Sequence, residues 1–241
     1  YANMLRDGDG VAVNKKEAAY YYKLSADKGI TKAMLNYAII LAHGDGISVN
    51  IKDATHYIQM AIEKGDSDAM DCYANMLEKG DGFAYNKQEA IKYYKMAIDH
   101  GNSNSMLKYA ELLENGFIKP SDTEKSANYY YKLLADNWNK IAMFKYAYQL
   151  INGYGVAISK EAAAHYYKLS ADNGNSTAMF SYANMLTNGE GVKMNKKEAA
   201  YYYKLSADNE YNEAIIKYAD ILYNGDGVAV NKKEAAKYYK K

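Results

Sequence analysis

The run Ser176-Thr177-Ala178-Met179-Phe180-Ser181-Tyr182-Ala183-Asn184-Met185-Leu186 has apolar residues at 178, 179, 182, 183, 185 and 186. Spacings of three and four put them on one face of a helix. Gly189 follows, and glycine takes the left-handed backbone of a helix C-cap without a Cβ clash. A short turn, Gly189-Glu190-Gly191-Val192, then leads to Asn195-Lys196-Lys197-Glu198. There Asn stands at the N-cap and Glu at N3, a capping box that opens a second helix. The stretch predicts a helical hairpin, helix A then helix B.

The hairpin is written seven times. Tyr-Ala recurs at Tyr1, Tyr37, Tyr73, Tyr109, Tyr146, Tyr182 and Tyr218, with spacings of 36, 36, 36, 37, 36 and 36 residues. A glycine follows each anchor at Gly8, Gly44, Gly80, Gly116, Gly153, Gly189 and Gly225. The capping box recurs as Asn14/Glu17, Asn50/Asp53, Asn86/Glu89 and Asn231/Glu234, and helix B stops at Gly29, Gly65, Gly101 and Gly174. In the box, each of the two side chains is expected to satisfy an orphan amide of the first turn. A hairpin this short cannot bury its apolar face alone, so stacked neighbours complete the core. The expected fold is all-α, an α/α superhelical solenoid of about seven 36-residue repeats. It is read as a single domain over residues 1–241 and as a fragment of a longer chain, since Tyr1 falls inside a helix A and Lys241 inside a helix B.

Composition narrows the function. The 30 Lys and Arg against 29 Asp and Glu leave a net charge of +1, which gives no electrostatic footprint for nucleic acid. No window approaches the roughly 20 apolar residues of a spanning helix, so membrane insertion is not expected. Cys72 is alone, so no internal disulfide and no cysteine-based zinc site can form. One thiol favours a reducing, cytoplasmic compartment, whereas the sequon Asn175-Ser176-Thr177 would permit glycosylation. The 28 Tyr against 4 Phe and 1 Trp set the chain apart.

The order Ala178-x3-Tyr182-Ala183-x2-Leu186-x2-Gly189-x-Gly191-Val192, then Lys-Glu-Ala-Ala-x-Tyr-Tyr-Lys and Asp-Asn-Gly (Asp172-Asn173-Gly174 in the preceding copy), resembles the Sel1-like repeat family, a relative of tetratricopeptide arrays. Tyr182-Ala183 replaces that family's Leu-Gly and Tyr21 its usual Trp. The resemblance implies a superhelix used for protein recognition, with helix A lining a concave groove. It leads to a non-catalytic scaffold or adaptor that binds a protein or peptide partner and needs no cofactor.

Positions −1, +2 and +6 from each anchor tyrosine face away from the apolar side of helix A. The stripe they form supplies the candidate partner-binding residues: Asn36, Ile39, Asn75, Lys108, Glu111, Lys145, Tyr148, Asn184, Lys217 and Asp220. Asparagine amides there could grip an extended backbone, having both donor and acceptor; the plainer alternative is a merely soluble inner face. Tyr148 is the one large aromatic of the central stretch. Repeat four departs most from the pattern. It loses its second turn glycine, gains one residue and Pro120, and has Trp138 where Gly29, Gly65, Gly101 and Gly174 close other copies. Phe117 and Trp138 are therefore a candidate hot spot, or else a change of twist with both rings packed inside. A second reading of the whole chain is a structural element that self-associates end to end through uncapped repeats.

Other chemistry finds no support. The Gly-x-Gly turns follow helix C-termini and lack the Lys-Ser/Thr of a phosphate loop. His43, His56, His100 and His165 show no metal-ligand spacing. Tyr21, Tyr57, Tyr93, Tyr130, Tyr166, Tyr202 and Tyr238 share one slot, expected between helices with the hydroxyls at the edge. The preceding slot, with Tyr20, Tyr129 and Tyr201, is expected on the outer surface.

Overall fold

The computed structural model describes residues 1–118 and 125–241. Among them are fourteen α-helices and no strand. Helix A of successive repeats is α1 (Ala2–Asp7), α3 (Thr31–His43), α5 (Ser67–Lys79), α7 (Ser103–Glu114), α9 (Lys140–Asn152), α11 (Ser176–Asn188) and α13 (Asn212–Asn224). Helix B is α2 (Lys15–Asp27), α4 (Ile51–Glu63), α6 (Lys87–Asp99), α8 (Ala127–Asp136), α10 (Lys160–Asp172), α12 (Lys196–Asp208) and α14 (Lys232–Tyr238). These elements form two compact units, Tyr1–Tyr109 and Ala110–Lys241. Within the first, consecutive helices from α1 through α6 pack on one another, and within the second, those from α8 through α14 do so.

Each hairpin closes through backbone bonds. Gly44 at φ 73° and Gly189 at φ 71° end their A helices in the left-handed conformation. The N-cap of helix B then donates its backbone N–H to a leucine carbonyl of helix A, as Asn50 does to Leu41 and Asn195 to Leu186. This corrects the expected capping box. Asn14 Oδ1 does accept from the Glu17 backbone amide at 3.1 Å, but the Glu17 carboxylate accepts from the Asn14 side-chain Nδ2 at 2.9 Å. The backbone amide it was expected to reach is already spent on Leu5. The second turn glycine answers a different need: a Cβ on Gly46 would come within 2.6 Å of the Lys15 backbone, where the turn packs against helix B of the preceding repeat.

Leu5, Leu41, Leu77, Leu113, Leu150, Leu186 and Leu222 are all buried, as one slot of helix A should be. The tyrosines divide three ways. Tyr20, Tyr129 and Tyr201 are exposed. The Tyr21 slot lies at the edge of the core: Tyr57, Tyr166 and Tyr202 set their rings edge-on against the anchors Tyr37, Tyr146 and Tyr182 at 4.9–5.0 Å. Deeper rings lie one residue further on, with Tyr94, Tyr131 and Tyr203 at most 1% exposed. Sequence reading did not single that slot out.

The edge tyrosines also tie repeats together. Tyr57 donates to Asp27 at 2.7 Å, Tyr166 to Asp136 at 3.0 Å, and Tyr202 to Asp172 at 2.7 Å. Each aspartate is paired four residues back with a lysine, Lys23, Lys132 or Lys168. The Lys132 ammonium, and with it the Tyr166 hydroxyl, holds the Asp136 carboxyl below its ordinary 3.8. Such exposed ion pairs contribute little to stability, being screened by solvent. The hydroxyl bonds add register between neighbouring B helices.

Candidate functional site

The helix A stripe is half-buried along most of its length, and many of its polar groups are engaged. In the first unit, Asn36 accepts from Arg6 Nη1 at 3.1 Å and donates to the Lys32 carbonyl at 2.7 Å. Asn75 donates to the Asp71 carbonyl one turn back at 2.8 Å, and Ile39 and Lys108 are partly covered. In the second unit, Asn184 accepts from the Tyr203 hydroxyl and Asp220 from that of Tyr239. Glu111 is half-buried and Lys217 exposed. Of these amides, Asn184 holds helix A to helix B, Asn36 links neighbouring A helices, and Asn75 bonds within its own helix. Tyr148 differs, with 44% of its surface exposed.

Around Tyr148 the second unit opens a pocket of about 620 Å³ between α8 and α9. Its origin is a shortened helix. The other complete B helices begin five residues before the outer-surface slot, as Lys160 precedes His165, but α8 begins at Ala127, two before Tyr129. One turn of helix is missing there. The turn glycine Gly155 accordingly faces the Asn128 side chain, a Cβ on it coming within 2.5 Å of Nδ2. At Gly191 and Gly227 the corresponding neighbour is helix backbone.

Four side chains in this pocket stand out from their repeat columns, three against a prevailing residue type and Tyr148 as the one aromatic of a variable column. Gln149 stands where the other copies have Met4, Ile40, Met76, Leu112, Met185 and Ile221, yet it is only 2% exposed. Its Oε1 is buried without a hydrogen bond, and Nε2 reaches Glu114 Oε1 only at 3.5 Å. Asn128 replaces the alanine of Ala19, Ala164 and Ala200, is 8% exposed, and has no hydrogen-bond partner among the described residues. Tyr154 takes the place of the acidic residue at Asp45, Asp81, Glu190 and Asp226. Its ring lies 5.9 Å from that of Tyr148, tilted by 51°. The fourth is Tyr148 itself.

Glu114 forms one wall. Its Oε2 accepts from the Tyr131 hydroxyl at 2.9 Å and from Lys145 Nζ at 3.0 Å. Burial, and then the neighbouring carboxylate, push the Tyr131 hydroxyl well above its ordinary 10, so it stays a donor. Leu113 and Ala127 add apolar surface. Sequence reasoning named Tyr148 and Lys145 but missed Gln149, Asn128, Tyr154 and Glu114. For Gln149 the signal was present in its column, as a polar residue in a slot otherwise filled by Met, Leu or Ile.

Phe117 and Trp138 are 58% and 67% exposed and line no part of this pocket. Their rings are not packed inside. Trp138 occupies the glycine position at φ 64°, a left-handed backbone that costs a residue with a Cβ about 1–2 kcal/mol. Pro120 and the inserted residue of repeat four lie outside the described residues.

Among the described residues no group of three or more His, Cys, Asp or Glu could hold a metal ion, and no helix is long and apolar enough to cross a membrane. His43 pairs with Asp81 across neighbouring repeats at 2.7 Å. Burial pushes the Cys72 thiol up to about 11, which makes it a poor nucleophile.

A Sel1 repeat protein from Oxalobacter formigenes superposes with a TM-score of 0.74 at 23% identity, covering 94% of this chain and 90% of that one. The uropathogenic Escherichia coli protective antigen c5321, which displays the same repeat fold, gives a TM-score of 0.59 at 20% identity; the match covers 99% of this chain but 59% of that one. An immunity protein from Pseudomonas aeruginosa gives a TM-score of 0.51 at 19% identity, over 87% of this chain and 79% of its own. At these identities the likeness concerns the fold alone. No curated protein gives a significant match to the chain. The family model for the Sel1 repeat matches residues 1–30, 31–66, 67–102, 103–137, 140–175, 176–211 and 212–241. With its length accounted for by these matches, the chain belongs to the Sel1 repeat family.

Proposed function

We propose that this chain is a non-catalytic adaptor that holds a partner protein or peptide along its helix A faces, with the Tyr148 pocket as the principal contact. Sel1 repeat proteins generally mediate protein–protein interaction, and the family is generally non-catalytic. The observation that carries the specific reading is convergence. Gln149 departs from an apolar column, Tyr154 from a mostly acidic one and Asn128 from a mostly alanine one, Tyr148 is the one aromatic of a variable column, and all four line one pocket where a helical turn is missing. A fold that tolerates variation scatters its exceptions over the surface; here they meet around an exposed aromatic, the residue type that anchors interfaces.

The test is affinity capture from a lysate of the source cell with three versions of the chain: wild type, Tyr148→Ala and Tyr201→Ala. Tyr148→Ala should weaken partner capture by about fivefold or more, since truncating a hot-spot aromatic costs over ~1 kcal/mol. Tyr201→Ala, on the outer face, should leave capture unchanged. Sensitivity at Tyr201 with silence at Tyr148 would move the partner to the opposite side.

A further inference from the structure

The geometry points to a ligand chemistry for this pocket: we infer that it takes the guanidinium of an arginine side chain carried by the partner. The inference rests on the adaptor reading and sharpens it.

Among the described residues, the one pocket atom buried without a hydrogen bond is an acceptor. Gln149 Oε1 is buried with no donor, and an unmade buried hydrogen bond is expensive enough to call for an occupant. The Asn128 carboxamide, which adds an acceptor and a donor group, has no protein partner among the described residues. Glu114 Oε2 is taken by Tyr131 and Lys145, but Oε1 has only the 3.5 Å contact from Gln149. An arginine brings five N–H donors in a rigid plane and no acceptor. It can therefore serve a carboxylate and a carboxamide together.

The aromatic and apolar walls suit the same group. The rings of Tyr148 and Tyr154 offer π faces on which a guanidinium stacks. Leu113 and Ala127 give its methylene stem an apolar surface. Among the described residues the pocket lining holds no cationic side chain, and its one carboxylate is Glu114, whose Oε2 is paired with Lys145. The Gln149 oxygen is shielded from water as it stands. Its terminal torsion is soft, however, and its one contact sits at the limit of hydrogen-bond distance, so a donor at the wall can draw the oxygen round.

Side-chain amide resonances of ¹⁵N-labelled chain provide the test, with Gln149→Met and Asn128→Ala assigning the two pairs of peaks. The probes are N-acetyl-arginine amide, N-acetyl-lysine amide and N-acetyl-citrulline amide, the last isosteric with arginine but neutral. Arginine should shift both amide pairs and bind about tenfold tighter than citrulline. Tyr148→Ala should weaken it by a similar factor, and Gln149→Met, still folded by circular dichroism, should remove most of the effect. Equal binding of citrulline overturns the cationic ligand, equal binding of lysine overturns the planar fork, and no shift with any probe overturns the site. In those cases partner capture still lost on Tyr148→Ala leaves the adaptor reading standing. Capture unchanged by both Tyr148→Ala and Gln149→Met removes that reading as well.

Discussion

Replacing Gln149 by Met restores the residue that Met76 and Met185 supply in the same column, and it should make the protein more stable. Gln149 is 2% exposed with an unbonded oxygen. A buried polar group left unsatisfied costs about 1–3 kcal/mol. The substitution gives up the 3.5 Å contact to Glu114, which at that length contributes little. Glutamine and methionine match in length, so packing changes little. The balance is a gain of about 1–2 kcal/mol. In urea this raises the midpoint without changing the slope, and in heating it raises Tm by roughly 2–4 °C per kcal/mol for a chain of this size. A midpoint that stays or falls would refute the reasoning, because the Gln149 oxygen would then be satisfied in solution. Stability recovered by removing a polar residue is what a binding site built into a core predicts.

Three further outcomes follow from the same structure. Trp138→Gly should stabilise repeat four by about 1 kcal/mol, since glycine takes the φ of 64° without strain; a urea midpoint that falls would show that the indole carries a packing role. High pH should unfold the chain. Burial raises Tyr73 and Tyr202 from their ordinary 10 to about 12. The stability they contribute is complete below pH 10 and is lost as pH rises through their folded values. The last part of the tyrosinate absorbance, from the buried rings, should therefore appear together with the loss of ellipticity at 222 nm, and complete ionisation with helix content intact would contradict it. At the acid end the sign is reversed. The lowered carboxyls of Asp27 and Asp136 add stability above their ordinary 3.8 that is lost as pH falls through their folded values. Tyr166→Phe should therefore flatten the loss of urea stability measured below pH 4.

Features written into nearly every copy were legible in the sequence. The 36-residue spacing, the seven leucines, the cap asparagines and the turn glycines each recur, so the hairpin and its core could be read from one stretch and checked against the others. The deep ring of Tyr94, Tyr131 and Tyr203 was hidden within runs of adjacent tyrosines. Which of three neighbours points inward depends on how helix B rotates against helix A, and spacing alone does not settle that. The pocket was harder still, because it is made of exceptions. Gln149 and Asn128 each look like tolerated variation until the fold brings them beside Tyr148 and Tyr154. The stripe asparagines misled in the opposite direction. Asn36 and Asn184 have the chemistry to grip a peptide, but their side-chain oxygens already accept from Arg6 and Tyr203.

Site-specific photocrosslinking tests the central claim most directly. A benzoylphenylalanine placed at Tyr148 projects from the pocket rim, and one at Tyr201 projects from the outer face of helix B. Irradiated in lysate of the source cell, the Tyr148 position should yield one dominant covalent adduct, lost when Gln149 is also changed to Met, and the Tyr201 position should yield none. An adduct at Tyr201 with none at Tyr148 would contradict the account.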